Sequence, residues 1–195
     1  MLIGVTGQIG AGKTTAAKIL ASFGAAIIDA DAIGRQVVDN SRQLRARLAK
    51  QFGLQILTTN GAIRRRELAR AAFANESTRQ QLNELVHPYL LRELRRQMRE
   101  QTRRYKVVVI DCALLLDWNL DKEMDVVIVI HAGEELRFKR LAGRGIGRQD
   151  ARARQKAQLP FSEYRKRADR FILNNGTRRQ LREKLKRVWA ELRLS

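Results

Sequence analysis

The sequence predicts an α/β fold, a parallel β-sheet enclosed by helices, and three observations lead there. Short β-branched runs alternate with longer segments of helical period along the chain. Two of the runs, Val107-Val108-Val109-Ile110 and Val126-Val127-Ile128-Val129-Ile130, are apolar at every position, the pattern of strands covered on both faces. A glycine-rich turn joins the first run directly to a helix-period segment, as where a parallel strand passes into its crossover helix.

In chain order, Leu2 to Thr6 reads as the first strand, Gly7 to Thr14 as the turn, and Ala25 to Ile28 as the second strand. The helical stretch from Asp31 to Arg104 is too long for a plain crossover and carries the turn Thr58-Thr59-Asn60-Gly61, so it predicts a separate helical lobe. Val107 to Ile110 and Val126 to Ile130 are the third and fourth strands and should be central. Between Arg140 and Arg170 lies a basic segment with Gly143, Gly145, Gly147 and Pro160, which predicts a mobile flap of short helices. Phe171 to Leu173 is a weaker fifth strand, and Thr177 to Leu194, with Gly176 before it and leucines at helical spacing, is the last helix.

A chain of 195 residues with 44% hydrophobic side chains can bury one substantial core, so one domain over residues 1–195 is expected. The single Cys112 allows no intramolecular disulfide. The first residues show no basic leader, and the longest apolar stretch, Val107 to Leu116, is broken by Asp111 and too short for a bilayer; a cytoplasmic protein without membrane attachment is expected. Thirty-nine basic against twenty acidic residues leave a net charge of +19, most of it from Arg, whose planar fork suits phosphate. Polyanions are therefore the expected partners, a class that includes nucleotides, nucleic acid and anionic membrane.

The turn narrows that class. Gly7-Gln8-Ile9-Gly10-Ala11-Gly12-Lys13-Thr14 satisfies G-x-x-x-x-G-K-[ST], the phosphate-binding P-loop. Glycines let successive backbone N–H groups curl inward around phosphate oxygens, and the following helix adds its positive end. Lys13 reaches the β and γ phosphates, and the Thr14 hydroxyl is a ligand for Mg²⁺. The dinucleotide pattern G-x-G-x-x-G fails, because Ile9 or Thr15 stands where a glycine is required, and this disfavours a nicotinamide enzyme.

Asp29 and Asp31 close the second strand at the rim where open α/β sheets bind ligands, and they share a side if the chain stays extended. One could accept a proton from a substrate hydroxyl while the other orients substrate or metal-bound water; Asp31 could equally cap the next helix. Asp111, ending the third strand, reads as an outer-sphere Mg²⁺ carboxylate or as an ordinary strand-terminal Asp. Arg137, Arg140 and Arg144 recur at helical spacing after the fourth strand. That row either closes over ATP, with Arg140 and Arg144 foremost, or is a solvated basic face. Arg64-Arg65-Arg66 and Arg92, Arg95, Arg96 and Arg99 lie in the inserted lobe, mostly as surface charge with the capacity to hold substrate phosphates. His87 before Pro88 reads first as a hydrogen-bonded turn residue. Cys112, Trp118 and Trp189 read as packing.

Together these residues resemble the dephospho-CoA kinases over nearly the full chain. The resemblance rests on Thr6-Gly7 with the P-loop, Asp29-Ala30-Asp31, Asn60-Gly61-Ala62-Ile63-Arg64-Arg65 with Leu68 and Phe73, and His87-Pro88. It continues through Leu114-Leu115, Lys139-Arg140-Leu141 with Arg144, Gln158, Ala168-Asp169 and Asn175-Gly176. The resemblance implies a three-layer P-loop kinase sandwich: a five-stranded parallel sheet flanked by helices, with a helical CoA-binding lobe at about 60–104 and a lid at about 141–168. It implies ATP and dephospho-CoA as substrates, Mg²⁺ as the ion, and phosphorylation of the ribose 3′-hydroxyl. Carried over, Asp31 is the base, Lys13 and Arg140 stabilise the phosphoryl group, and Thr14 holds Mg²⁺. ATP contacts come from Gly7, Gln8, Ile9, Gly10, Ala11, Gly12, Lys13, Thr14, Thr15 and Arg144. Asp29, Arg65 and His87 serve the acceptor.

Three positions depart from the family's usual pattern. Gln8 stands in place of a second glycine, Ala113 in place of proline, and Asp117 in place of glutamate. Gln8 occupies a free position of the P-loop pattern, whereas Asp117 shortens an acceptor-side carboxylate by one methylene. Another small P-loop kinase is the nearest alternative and would differ in its acceptor. A basic ATP-dependent nucleic-acid binder is disfavoured by the 6% aromatic content and the absence of basic-aromatic interleaving.

Overall fold

The structure, a computed structural model, describes residues 1–72 and 74–194. Phe73, one of the residues behind the resemblance, lies outside the described residues. Five strands form one parallel sheet: β1 (Leu2–Thr6), β2 (Ala26–Asp29), β3 (Val108–Asp111), β4 (Val126–His131) and β5 (Arg170–Leu173). They lie in the order β2-β3-β1-β4-β5, with β1 in the centre. The chain leaves β1 toward one edge and later lays β4 and β5 on the other side, so the strand order reverses beside β1, where such sheets bind ligands.

The helices among the described residues are α1 (Lys13–Ala21), α2 (Ala30–Asn40), α3 (Arg42–Phe52), α4 (Arg65–Ala72), α5 (Glu76–Arg104), α6 (Glu134–Ala142), α7 (Arg148–Lys156), α8 (Phe161–Lys166) and α9 (Arg178–Leu194). The chain divides into two compact units, one of residues 1–29 with 98–195 and the other of residues 30–97.

In the sheet unit, Ile3, Val5, Val109, Ile128 and Ile130 form one core with Ala16 and Leu20 of α1 and Leu181 and Leu185 of α9. This is why β3 and β4 read as continuous apolar runs, since alternate residues enter opposite layers. On the other face Leu115 and Met124 close over β1, so tightly that a Cβ at Gly4 would meet Leu115 at 2.8 Å.

The helical unit has its own core of Val38, Leu44, Leu48, Phe52, Ile56 and Leu68. Ser41 caps α3, its hydroxyl accepting the Leu44 N–H at 3.1 Å. The expected turn at Thr58 to Gly61 forms, flanked by a bridge between Leu57 and Ile63.

Several local expectations are corrected. The backbone does not stay extended from Asp29 to Asp31: Asp29 ends β2, and Asp31 lies in the first turn of α2. Arg144 does not share a helix with Arg137 and Arg140, because α6 ends at Ala142. His87-Pro88 is not in a turn but inside the 29-residue helix α5. A proline costs a helix one N–H and crowds the preceding turn, and here the packing of α5, with Leu90 and Leu94 buried, carries the helix through. The segment expected to form a flap contains two short helices, α7 and α8.

Candidate functional site

At the carboxyl end of β1 the chain turns through Gly7, Gly10 and Gly12, all with positive φ, and enters α1 at Lys13. Gly7, at φ 141°, lies so close to the Ile130 carbonyl oxygen that no side chain fits. Gly12, at φ 101°, is the N-cap of α1, and a Cβ there would stand 2.5 Å from the Asn174 amide. Sterics thus fix the two outer glycines of the pattern, and the curl leaves backbone N–H groups at the positive end of a helix. Inside the curl Ala11 N–H donates to the Gln8 carbonyl at 3.1 Å, and Lys13 Nζ reaches the same oxygen at 3.4 Å. Thr14 is exposed at the mouth, Thr15 is half-buried and Gln8 is buried.

Side chains from distant parts of the sheet unit brace this turn. The Asn174 amide, just past β5, donates to Ala11 O at 2.8 Å. Arg140 donates to Ala11 O at 3.3 Å and, more weakly, to Gly10 O at 3.5 Å, while its other terminal nitrogen donates to Asn174 O at 2.9 Å. Arg137, almost fully buried, donates to Ala132 O at 3.0 Å, Ile9 O at 3.3 Å and Gln155 Oε1 at 3.2 Å. Gln158, following α7, accepts the Ile9 N–H at 2.8 Å. Burial first, and then the neighbouring Arg144, lowers the pKa of Arg140 from the ordinary arginine value; burial also lowers that of Arg137.

Of the row expected along one helix, Arg137 and Arg140 therefore meet the turn itself, and Arg144 is exposed beyond the helix. Asn174 and the bracing by Arg137 were missed from the sequence. The only signal for Asn174 was an Asn closing the last strand at the ligand-binding rim.

Asp29 and Asp111 are register partners on adjacent strands, and Asp111 is also the partner of Val5, so the two residues end side by side, Asp111 next to β1 and Asp29 one strand further out. Adjacent strands lie about 4.8 Å apart. Asp111 is buried and Asp29 exposed. Mg²⁺ prefers oxygen ligands and usually takes only one or two from protein, the rest from water and phosphate. The Thr14 hydroxyl and this carboxylate pair fit that chemistry.

In the helical unit Asp31 is exposed on the first turn of α2. Arg65 opens α4 and donates to Asp39 at 2.6 Å and to the Arg35 carbonyl at 3.4 Å. His87 is half-buried in α5, and burial, with the charge of Arg95 adding to it, lowers its pKa. A neutral imidazole at pH 7 serves a ligand by hydrogen bonding rather than by charge.

Among the described residues no helix is long and apolar enough to cross a membrane.

Comparison with known proteins agrees with the geometry. The family model for dephospho-CoA kinase matches residues 1–180. A dephospho-CoA kinase of Corynebacterium glutamicum is 39% identical over 192 residues, covering 97% of this chain and 98% of the relative. One of Thermobifida fusca is 39% identical over 194 residues, covering 97% and 95%. Among solved structures, dephospho-CoA kinase from Campylobacter jejuni superposes with a TM-score of 0.75 at 26% identity, covering 98% of this chain and 96% of that one. Shikimate kinase from Acinetobacter baumannii, at 19% identity and a TM-score of 0.54 over 100% and 95% of the two chains, shares the fold.

Proposed function

The chain belongs to the dephospho-CoA kinase family, and from that premise we propose the part each residue of the site plays. The protein is a phosphotransferase that phosphorylates dephospho-CoA in coenzyme A biosynthesis, with ATP as donor and the ribose 3′-hydroxyl as acceptor. The observation that chiefly supports the roles is the braced curl from Gly7 to Gly12, one strand away from Asp111 and two from Asp29, in the same chain as an acid that opens α2.

In this reading the backbone from Gly7 to Thr15 holds the ATP phosphates and Lys13 sets its ammonium against the β and γ groups. The positive end of α1 adds to their field. Arg140 braces the Gly10 and Ala11 carbonyls and places a second cation beside the group that is transferred, while Arg144 contacts the nucleotide from the lid segment at about 141–168. Bound Mg²⁺ would neutralise charge on the phosphate oxygens, and Thr14 would hold it, with Asp111 and Asp29 orienting its waters.

The unit of residues 30–97 takes the acceptor-lobe role expected for residues 60–104. Asp31 accepts the proton of the 3′-hydroxyl as that oxygen attacks the γ phosphorus; the bond to the β–γ bridging oxygen breaks, and ADP leaves. Arg65 offers positive charge to the acceptor, and neutral His87 offers a hydrogen bond. Asp117 supplies the acceptor-side carboxylate on its shorter stem. A single cysteine, Cys112, allows no intramolecular disulfide, and the cytoplasm is the proposed location.

The test is direct: purified protein with ATP, Mg²⁺ and dephospho-CoA, followed by phosphorus NMR. A new phosphomonoester on the ribose 3′ carbon is expected. No product, or an ester elsewhere, would overturn the reading.

A further inference from the structure

On α2, Arg35 follows Asp31 by four residues, which places it about 40° around the helix and roughly 6 Å along its axis. The two therefore lie on one flank, one turn apart. Arg35 is exposed. Among the described residues its guanidinium has no hydrogen-bond or ion-pair partner, although Asp31 and Asp39, each four residues away, are at the spacing where helix ion pairs form. Its carbonyl oxygen accepts from Arg65, whose own charge is engaged by Asp39 on the same flank. The face thus presents a carboxylate, then an uncommitted guanidinium one turn further, with a second guanidinium held beside it.

We infer that Arg35 binds the 5′-diphosphate of the acceptor while Asp31 addresses its 3′-hydroxyl, so that one turn of α2 measures the acceptor's ribose. The inference rests on the kinase reading above and names a specificity residue within it. The step of one turn is comparable to the span from a ribose 3′ oxygen to the 5′ phosphate of the same sugar. The diphosphate carries two negative charges, and a guanidinium can take two of its oxygens through parallel N–H donors, which an ammonium cannot. The groove of about 260 Å³ lined by Gln36, Asn40, Tyr89, Arg92 and Glu93 is a poorer place for these phosphates, because its cation, Arg92, lies over the Tyr89 ring and shares the groove with the Glu93 carboxylate. Gln36 and Asn40 lie about 140° and 180° around the helix from Asp31, on its other flank.

The experiment is steady-state kinetics of the full chain and its Arg35→Gln and Arg35→Lys variants, with dephospho-CoA and with adenosine, which lacks a 5′ phosphate. Wild-type turnover of dephospho-CoA tests the kinase reading itself. Given that turnover, Arg35→Gln is expected to raise the KM for dephospho-CoA roughly 10- to 100-fold, the range for a lost charged hydrogen bond. Its kcat should stay within about threefold and its KM for ATP unchanged, because the lost contact does not change during the chemical step. Arg35→Lys should recover part of the loss, since it restores charge without the fork. Any turnover of adenosine should be indifferent to all three side chains. A KM for dephospho-CoA within about twofold of wild type in Arg35→Gln, or an equal loss with adenosine, would overturn the inference. Equal thermal midpoints of the exposed-site variants separate it from a folding defect.

Discussion

The side-chain amide of Asn174 donates a 2.8 Å hydrogen bond to the carbonyl oxygen of Ala11, across 163 positions of sequence. It ties the carboxyl end of the last strand to the phosphate-binding turn. Both partners are buried, and the Asn174 carbonyl in turn accepts from Arg140. The turn is therefore held from behind by donors directed at its carbonyl oxygens, while Gln158 accepts its Ile9 N–H.

Asn174→Leu should loosen that support. Removing the donor leaves the buried Ala11 carbonyl with only the longer 3.3 Å bond from Arg140, a loss of about 0.5–1.5 kcal/mol. A lower thermal midpoint and a KM for ATP several-fold higher are expected, with the KM for dephospho-CoA little altered. An unchanged KM for ATP in the folded variant would show that the turn keeps its shape without the brace.

Lys13→Ala should reduce turnover by roughly 10² or more, in line with removal of a preorganised charge at a developing anion. The fold should survive, because Lys13 is only half-buried and its Gln8 contact is long, at 3.4 Å. Normal turnover with ATP would contradict the assignment of this turn to the terminal phosphates.

For Asp31→Asn, kcat should fall by roughly 10²–10⁴, the usual contribution of a general base. Binding of both substrates, measured calorimetrically, should stay within a few-fold. Were kcat unchanged, Asp31 would be only a favourable charge at the start of α2.

The pH dependence of stability should carry a histidine signature. His131 stacks on Phe161 at 4.4 Å, and burial, then the charge of Arg137, lowers its pKa; burial and Arg95 do the same for His87. A lowered value means the unfolded chain takes the proton first. The stability these groups confer is complete above the unfolded value of about 6.5 and is lost as pH falls from there toward the folded values. The midpoint should therefore drop between pH 7 and 5, and drop less in His131→Gln. Glu93, held at about 2 first by its hydrogen bond from Arg96, loses its contribution only below that window.

The phosphate-binding turn was legible because its residues are contiguous. A strand, a glycine pattern and Lys-Thr at fixed spacing specify one backbone curl, and the curl appears where the spacing put it. The central strands β3 and β4 were legible because a strand covered on both faces is apolar throughout, the edge strands β2 and β5 as short apolar runs, and only strand ends shifted by a residue or so. Helix boundaries were less so. Spacing alone carried the arginine row from Arg137 to Arg144, but α6 ends at Ala142, and His87-Pro88 suggested a turn inside what is one long helix. In both cases packing and glycine chemistry, rather than periodicity, decided where a helix stops.

The sequence alone determined the parallel α/β class and the glycine turn that leads from β1 into α1 at Lys13, since each depends on residues close together in the chain. Tertiary structure alone decided what holds the cradle in shape: Asn174, Arg137, Arg140 and Gln158 converge on it from three other segments. It also set Asp29 beside Asp111, through the register of two strands about eighty residues apart. The physical reason is that a backbone turn is encoded by local sterics, whereas a hydrogen bond to its far side needs a partner that only the completed sheet brings within 3 Å or so.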